Sequence, residues 1–343
     1  MSENEAVVFP GEEQVVIEER PRPEPGAEEV LIETERSLIS TGTEMANLTG
    51  IDEEYVTSEE YEPDYPFYPG YCNIGRVIEA GEQMEEDLVG KRVASYGSHA
   101  TFTTASKPAP GTSQFGTYRV VPETIDPDEA AFFTIAEIVM NGIRKGAVTW
   151  GDVVAVFGLG LLGQHAVRLA HFAGATPVVG LDPADDRRAY LPDEPRIAAL
   201  DPTDNYLDSF RDHCDGELAD VVFELTGRAD VIPSEFDVLG DQGRFVVLGS
   251  PRGSVEFDFL QHCHSPGHQI IGAHNRTHPP VESSATPWTQ ERHAELFFRL
   301  LESGDVSVSE LISHRYDWSD APDAYEMLLE DRTQALGVLF EWE

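Results

Sequence analysis

The sequence has few basic residues and almost no lysine. Its 343 residues include 63 acidic side chains against 23 basic ones, which gives a formal net charge of −40, and only Lys91, Lys107 and Lys145 are lysines. Nucleic-acid phosphates and anionic lipid headgroups repel such a chain, so we expect neither nucleic acid nor a membrane as a partner. Because the carboxylates are spread along the whole sequence rather than gathered in a tail, the composition favours a folded, halophilic protein from a high-salt cytoplasm.

Cysteine and long apolar segments are scarce as well. Cys72, Cys214 and Cys263 lie far apart and form no CxxC pair, which argues against a disulfide framework and fits a reducing cytoplasm. No apolar run reaches the roughly 18 residues of a membrane-spanning helix, and the acidic start of the chain does not resemble a secretion signal. Hydrophobic residues still make up 41% of the chain. We therefore expect a cytoplasmic protein with folded cores and, from its length, two domains.

The first 120 residues or so alternate apolar and polar side chains between turn residues. Runs such as 15–17, 30–33 and 73–81 predict short antiparallel strands. Residues 52–69 and 97–116 are rich in turn-forming side chains and are predicted as loops. This pattern is typical of a small β-barrel or sandwich.

From residue 126 the pattern changes to apolar strands that alternate with helices. Asp126 and Pro127 have the side chains of a helix start, and the residues after them are apolar at helical spacing. Continuous apolar strands between helices indicate a parallel sheet covered on both faces, which is an α/β architecture. The predicted helices are 130–145, 161–173, 289–303 and 321–329, and the predicted strands are 152–157, 177–181, 219–225, 243–248 and 336–342.

A glycine-rich turn, residues 158–163, follows a predicted strand and begins a predicted helix. Glycine at its first, third and sixth positions allows a tight turn, close approach of a pyrophosphate and close helix–strand packing. The next strand ends at Asp182, whose carboxylate can accept hydrogen bonds from ribose hydroxyls and would repel a 2′-phosphate, so the sequence predicts NAD over NADP. Arg187 and Arg188 could stack on the adenine. Alternatively, they could bind a 2′-phosphate despite the repulsion from Asp182. The predicted cofactor contacts are Gly158, Gly160, Leu161, Leu162, Gly163, Asp182, Arg187, Thr226, Gly227, Leu248, Gly249 and Gly272.

The order of these parts is similar to that of the medium-chain dehydrogenase/reductase superfamily, the relatives of zinc alcohol dehydrogenase. Residues 40–44 (Ser-Thr-Gly-Thr-Glu), 69–77 and 270–273 carry the resemblance together with the glycine turn. The run 40–44 and the ending 311–316 resemble the bacteriochlorophyllide a dehydrogenase-like and sugar-alcohol dehydrogenase branch. The resemblance covers nearly the whole chain and implies a homodimer or homotetramer. It also implies a GroES-like, β-rich catalytic domain at 1–124 and 275–343 and a Rossmann doubly wound parallel-sheet domain at 125–274.

The chain departs from the zinc-dependent members of this superfamily. The places of their catalytic zinc ligands correspond to Thr41, Tyr71 and Thr134, and none of these side chains is a good zinc ligand. The four-cysteine lobe of such enzymes is missing too, because 97–116 contain no cysteine. We therefore expect no metal.

Two other groups of potential ligands leave alternatives open. Cys72, His99 and Glu44 could form a non-standard zinc set, although Cys72 is better interpreted as a small apolar residue in a core. Five histidines fall between residues 262 and 278, but no i, i+4 pair repeats convincingly, and the segment contains Pro266 and Gly267. We interpret that segment as a surface or subunit-contact loop.

Without zinc, hydrogen-bond donors must polarise the substrate oxygen. The resemblance places Thr43 at a proton-relay position and Tyr71 in the same cleft, where a phenol can act as acid or base. Ordinary turn hydrogen bonding remains an alternative for Thr41 and Thr43, and simple lining of the cleft remains one for Tyr71. Further catalytic candidates are Thr41, Glu44, His99 and, from the resemblance alone, Asn141 beside the nicotinamide.

The function expected from these features is NAD(H)-dependent interconversion of an alcohol and a carbonyl compound. The substrate is expected to be a small molecule, such as a sugar or polyol. Reduction of an activated C=C bond, as in zinc-free quinone-reductase-like relatives, is one alternative. The other is a cofactor-binding sensor that has lost catalysis.

Overall fold

The structure, a computed structural model, describes residues 3–50, 64–108, 116–203 and 205–342. These residues divide into two compact units. The first contains the described residues up to 50, residues 64–134 and residues 278–342, and the second contains the described residues of 135–277. Most of the loop predicted at 52–69 lies outside the described residues.

The first unit is built mainly on antiparallel strands, with β14 and β15 as a parallel pair, and draws on both ends of the chain. One sheet has the order β14-β15-β3-β4-β5-β7, with β6 also paired to β3, and β1 and β2 form a separate hairpin. Leu38 of β3 pairs with Leu339 of β15, which ties the end of the chain to its beginning. Its elements, numbered in chain order, are β1 (Asn4–Val8), β2 (Val16–Arg20), β3 (Glu29–Leu38), α1 (Thr43–Leu48), β4 (Asn73–Ala80), β5 (Arg92–Ser95), β6 (Phe102–Ser106), β7 (Tyr118–Val120), α2 (Pro127–Ala130), α8 (Gln290–Ser303), β14 (Ile312–Asp317), α9 (Ala321–Asp331) and β15 (Gly337–Glu341).

One prediction for this unit is wrong. Residues 97–116 were expected to form a loop, yet β6 lies within them and pairs antiparallel with β3, Ala105 opposite Val30. Threonine is β-branched and fits a pleated strand, and Phe102 and Ala105 are buried on the sheet. The threonines of this segment are therefore compatible with a strand, and its high Ser/Thr content does not indicate turns alone.

The second unit is a six-stranded parallel sheet with helices between its strands. Its strand order is β10-β9-β8-β11-β12-β13, which is the doubly wound dinucleotide-binding order, and it confirms the predicted α/β fold. Val154 at the start of β8 pairs with Val178 of β9 on one side and Val221 of β11 on the other. Its elements are α3 (Phe133–Lys145, which begins at the end of the first unit), β8 (Val154–Phe157), α4 (Leu161–Phe172), β9 (Val178–Leu181), α5 (Asp185–Ala189), β10 (Ile197–Leu200), α6 (Tyr206–His213), β11 (Ala219–Glu224), α7 (Ile232–Glu235), β12 (Leu239–Val247) and β13 (Gln269–Gly272).

Aromatic side chains fill both cores. In the first unit the ring of Tyr325 packs edge-on against Phe9, with centroids 5.0 Å apart. In the second, Phe236 and Phe245 stack with centroids 4.2 Å apart. Within the described residues, the longest helices are too short or too polar to cross a membrane.

Two carboxyl groups are buried in the second unit without full hydrogen bonding. Glu224 ends β11 and Glu235 ends α7, and both are almost fully buried. Within the described residues, Oε2 of Glu224 and both carboxyl oxygens of Glu235 have no hydrogen-bond partner. Burial raises the pKa of both groups, and the neighbouring Glu224 adds to the shift at Glu235, whose pKa reaches about 9. Glu235 is therefore a neutral acid at physiological pH.

Replacing Glu235 with glutamine keeps the shape of the side chain and removes its ionisation. Because the pKa of Glu235 is raised from 4.5 to about 9 on folding, its contribution to stability is full below 4.5 and is lost as the pH rises towards 9. Glu235→Gln should raise the free energy of unfolding at about pH 8.5 by roughly 1–3 kcal/mol more than at about pH 5, as measured by urea denaturation. The exposed Glu256→Gln serves as control, and an equal effect at both pH values would contradict the assignment.

Candidate functional site

The glycine turn between β8 and α4 is shaped by what each glycine permits. Gly158 has a φ of +88°, and a Cβ there would lie 2.7 Å from the backbone of Leu225. A Cβ on Gly163 would lie 1.8 Å from the carbonyl oxygen of Gly158, so the turn can close only around a glycine. At Gly160, by contrast, a Cβ would meet no atom within 4 Å. The second glycine thus borders open space, whereas the first and third allow close packing.

The start of α4 presents uncapped backbone N–H groups beside this space. The helix begins at Leu161 after Gly160, no side chain caps it, and its first turn holds no acidic residue. The first N–H groups of a helix lack intrahelical acceptors and lie at the positive end of the helix dipole. Leu161, Leu162 and Gly163 therefore form a cradle that suits a pyrophosphate, so the residues present fit a dinucleotide.

Asp182 follows β9 and is bonded to the glycine turn. Its Oδ2 accepts from the backbone N–H of Leu159 at 2.8 Å, and its Oδ1 accepts from that of Ala184 at 2.9 Å. The residue is 2% exposed, and Nη1 of Arg187 lies 3.5 Å from Oδ2. Arg188 donates to the backbone oxygen of Asp182 and pairs with acidic neighbours. Asp182 therefore supports the turn directly, a role that sequence reasoning did not anticipate.

The other predicted cofactor residues lie where strands of the same sheet end. Thr226 and Gly227 follow β11, Leu248 and Gly249 follow β12, and Gly272 ends β13. Ligands of doubly wound sheets bind at this carboxyl edge.

Glu224 organises part of this edge and was missed by the sequence reasoning. Its Oε1 accepts from Oγ1 of Thr226 at 2.7 Å and from the N–H of Gly227 at 2.9 Å. Its backbone oxygen accepts from the N–H groups of Leu248 and Gly249. An acid at the last position of a buried strand, directly before Leu-Thr-Gly, is the signal that could have identified it.

Asn141 of α3 is almost fully buried. Its Nδ2 donates to Oγ1 of Thr277 at 3.2 Å, and Thr277 Oγ1 donates to the backbone oxygen of His274 at 2.6 Å. Asn141 thus holds the turn that follows β13.

In the first unit, three hydroxyl groups meet around Tyr71. The Tyr71 hydroxyl donates to Oγ of Ser40 and lies 3.3 Å from Oγ1 of Thr43. Thr134 donates to the backbone oxygen of Tyr71 at 3.1 Å. Thr43 is exposed on this unit, and Tyr71 and Thr41 are half-buried. Desolvation raises the pKa of Tyr71 above its usual range, so its phenol keeps its proton and acts as a donor at neutral pH.

Behind these hydroxyls lies a buried carboxylate, Glu44, which is 1% exposed. Its Oε1 accepts from the N–H of Ser40 at 2.8 Å. Its Oε2 accepts from the Tyr325 hydroxyl at 2.5 Å and lies 3.1 Å from Nε2 of His99. His99 is fully buried, and its Nδ1 lies 2.8 Å from Oγ of Ser37.

The structure therefore separates the predicted catalytic residues into three groups. Thr43 and Tyr71 lie together with Ser40, whereas Glu44 and His99 lie behind them and out of contact with solvent. Asn141 lies in the second unit. Residues that sequence reasoning missed are Ser37, Ser40, Tyr325 and Trp342.

The side chains at the expected metal positions do not fit a zinc ion. Thr41, Tyr71 and Thr134 offer hydroxyls only, and those of Tyr71 and Thr134 donate to protein oxygens. Glu44 and His99 are bonded to each other, and the thiol of Cys72 is buried. Among the described residues, one group of three potential metal ligands comes close enough to share an ion, and it consists of the acids Glu3, Glu5 and Glu19 in and beside the β1–β2 hairpin.

The histidine-rich segment is only partly a surface loop. His262 and His264 lie in a π-helical turn (Leu260–His264). His268 is buried, with its two ring nitrogens 2.8 Å and 3.0 Å from the carbonyl oxygens of His262 and Gly240. His278 is also buried and is bonded to His293 at 3.0 Å. The packing of the β12–β13 connection accounts for the burial of His268, which a surface loop would not require.

Comparisons with known proteins agree with this fold. The family model described as zinc-binding dehydrogenase matches residues 162–290. The chain is 26% identical over 281 residues to D-guloside 3-dehydrogenase of Escherichia coli K12, covering 80% of this chain and 78% of that protein. It is 25% identical to 2-desacetyl-2-hydroxyethyl bacteriochlorophyllide A dehydrogenase of Cereibacter sphaeroides over 98% of both chains. The structure of a zinc-binding dehydrogenase from Sinorhizobium meliloti bound to NADP matches with a TM-score of 0.76 and 19% identity, over 99% of this chain and 100% of that one.

The fold, the glycine turn and these relatives define an alcohol dehydrogenase-like oxidoreductase. The family model and these relatives support the predicted medium-chain dehydrogenase/reductase superfamily.

Filling the open space at Gly160 should block the cradle without disturbing the fold. A Cβ at this position meets no protein atom within 4 Å, so Gly160→Val should leave the melting temperature nearly unchanged. We expect it to lower the affinity for NADH by about tenfold or more, because the side chain occupies the place of the pyrophosphate. Calorimetric titration with NADH measures the effect. Gly42→Val, also a position with free space for a Cβ, is the control, and equal affinities of the two variants would refute the cradle.

Proposed function

We propose that this protein is an NAD(H)-dependent oxidoreductase that interconverts an alcohol, such as a sugar or polyol, and the corresponding carbonyl compound without a catalytic zinc ion. The observation that carries the proposal is the hydroxyl cluster of Tyr71, Ser40 and Thr43, at the place that the superfamily gives to metal ligands and proton relay. The relative named D-guloside 3-dehydrogenase supports a sugar as the class of substrate.

The nucleotide-binding unit supplies the first requirement of such a reaction. A nicotinamide dinucleotide supplies or accepts hydride when it is bound. The backbone N–H groups of Leu161, Leu162 and Gly163 would hold its pyrophosphate. The residues at the ends of β11, β12 and β13 border the half of the sheet expected to receive the nicotinamide.

Tyr71 and Thr43 supply the second requirement, which is control of the proton on the substrate oxygen. Desolvation keeps the Tyr71 phenol protonated, so its O–H, which donates to Ser40 in the structure, can turn to a carbonyl oxygen and stabilise the negative charge that develops there. The exposed Thr43 hydroxyl is a second donor within 3.3 Å of the phenol oxygen. In carbonyl reduction the phenol would give its proton to the alkoxide. In alcohol oxidation the same oxygen could take up the alcohol proton only as a phenolate, so the raised pKa of Tyr71 favours the reduction direction.

Removing the Tyr71 hydroxyl tests the proposal. We expect Tyr71→Phe to lower kcat for carbonyl reduction by about 100-fold, since general acid catalysis contributes roughly that much, with little change in NADH affinity. Because the pKa of Tyr71 is raised, the wild-type reduction rate should not fall through ionisation of this phenol between about pH 6 and pH 9. Steady-state kinetics on a panel of ketoses and hydroxyketones, with product analysis by NMR, measure both.

Three outcomes would contradict this assignment. Wild-type kinetics retained in Tyr71→Phe would remove the phenol from the mechanism. A saturated product from an enone, without alcohol formation, would favour C=C reduction instead. Metal analysis of the active sample that finds one zinc per chain, lost together with activity on chelation, would overturn the zinc-free chemistry.

The preference for NAD over NADP is proposed to depend on Asp182. Its carboxylate repels a 2′-phosphate and can accept bonds from ribose hydroxyls, so Asp182→Ala should weaken NAD binding by about tenfold and NADP binding much less. Asp182 also holds the N–H of Leu159. If only this support of the turn matters, both affinities will fall equally. Asp185→Ala, in the exposed first turn of α5, is the matched control.

A further inference from the structure

The loop that carries Ser40 and Thr43 is closed by Glu44. The backbone N–H of Glu44 donates to the carbonyl oxygen of Ser40 at 2.9 Å, and the N–H of Ser40 donates back to Oε1 of Glu44 at 2.8 Å. These two bonds enclose residues 40–44. Both hydroxyls that meet Tyr71 therefore belong to a single ring of five residues.

This ring has little other local support. Helix α1 has only six residues, and Gly42 before it makes no side-chain capping bond. A helix this short does not hold itself together in water, so its position must come from tertiary contacts. Met45 and Leu48 supply apolar contacts in the core of the first unit, and Glu44 supplies the polar ones through its second carboxyl oxygen.

Tyr325 and His99 hold Oε2 of Glu44 from distant parts of the chain. Tyr325 lies in α9, and burial together with the charge of Glu44 raises its pKa, so its phenol stays protonated and donates. Trp342 donates to Oγ of Ser37, which leaves the Ser37 hydroxyl to donate to Nδ1 of His99. In this tautomer Nε2 of His99 donates to Oε2 of Glu44, so both ring nitrogens have a partner.

We propose that Glu44 is a positioning residue, and that Tyr325 and His99 act through it to hold Ser40 and Thr43 against the hydroxyl of Tyr71. This inference rests on the proposed function at Tyr71 and Thr43. Glu44 itself lies out of reach of a substrate, because it is buried behind the ring that it closes. The competing explanation is that the cluster only stabilises the first unit.

The experiment compares two tyrosine variants that affect opposite ends of α1. Tyr325→Phe removes one bond to Glu44 at the start of the helix. Tyr65→Phe removes a bond from a phenol to the backbone oxygen of Asn47 near the end of the same helix, 2.8 Å long in the structure. We expect Tyr325→Phe to lower kcat by about tenfold, since small misplacements of reacting groups are costly, and to leave KM for NADH unchanged. Tyr65→Phe should lower the melting temperature by a similar amount without this loss of kcat.

A double-mutant cycle separates positioning from stability. If Tyr325 acts through Tyr71, its removal should cost little further activity in the Tyr71→Phe background, because the two effects are then not additive. Glu44→Gln keeps the shape of the side chain but presents an amide N–H₂ to donors, and it should reproduce the loss of kcat. Additive effects of Tyr325→Phe and Tyr71→Phe, or equal kcat in Tyr325→Phe and Tyr65→Phe, would overturn the inference.

Hydrogen exchange supplies a measurement that does not depend on turnover. Tyr325→Phe should speed amide exchange in peptides that contain Ser40 and Glu44, and Tyr65→Phe should not. If wild-type protein turns over no alcohol or carbonyl compound, the proposed function fails, while this exchange pattern still tests whether Tyr325 and Glu44 fix the ring. Unchanged exchange at 40–44 in Tyr325→Phe would refute the positioning role.

Discussion

A carboxylate that is buried away from water needs hydrogen-bond donors around it. The first unit meets this requirement for Glu44 with groups from three separate segments of the chain. A buried charge without partners costs several kcal/mol, so the groups that reach Glu44 must be brought there by the fold. Ser40 comes from the same loop, His99 from the connection between β5 and β6, and Tyr325 from near the end of the chain. The return of residues 278–342 to the first unit completes the set of donors.

Glu235 in the second unit shows the other way in which a buried carboxyl group can exist. No donor reaches either of its oxygens within the described residues, and its pKa rises to about 9, so it stays neutral. Its neighbour Glu224 is intermediate, because one oxygen accepts two bonds that order Thr226 and Gly227, and the other oxygen accepts none. A buried glutamate can therefore either fix a loop or remain a neutral acid in the core. The number of hydrogen-bond donors around it decides which role it has.

The sequence alone predicted the second unit well because its signals are local. A strand, three glycines and an acid within residues 154–182 determine the turn at Gly158–Gly163 and the place of Asp182, and the spacing of apolar strands predicts the parallel sheet. The hydroxyl cluster could be predicted only in part, since Thr43 and Tyr71 were found through a family resemblance. Their supports were not found, because Tyr325 lies 281 residues from Glu44 and Trp342 lies 305 from Ser37. No periodicity links residues at such distances, and burial is a property of the fold rather than of the segment.

The net charge of −40 raises the question of how this chain could bind an anionic dinucleotide, and the groups around the glycine turn bear on it. The two arginines near the glycine turn already have acidic partners. Arg187 lies against Asp182, and Arg188 pairs with Asp185 and Asp201. A pyrophosphate that approaches this surface meets long-range repulsion from the acidic chain, which salt weakens. What remains to hold it are the uncharged N–H groups at the start of α4, which act only at hydrogen-bond distance. The two bonds that Asp182 accepts from Leu159 and Ala184 favour such short-range binding, because they fix the turn before a ligand arrives.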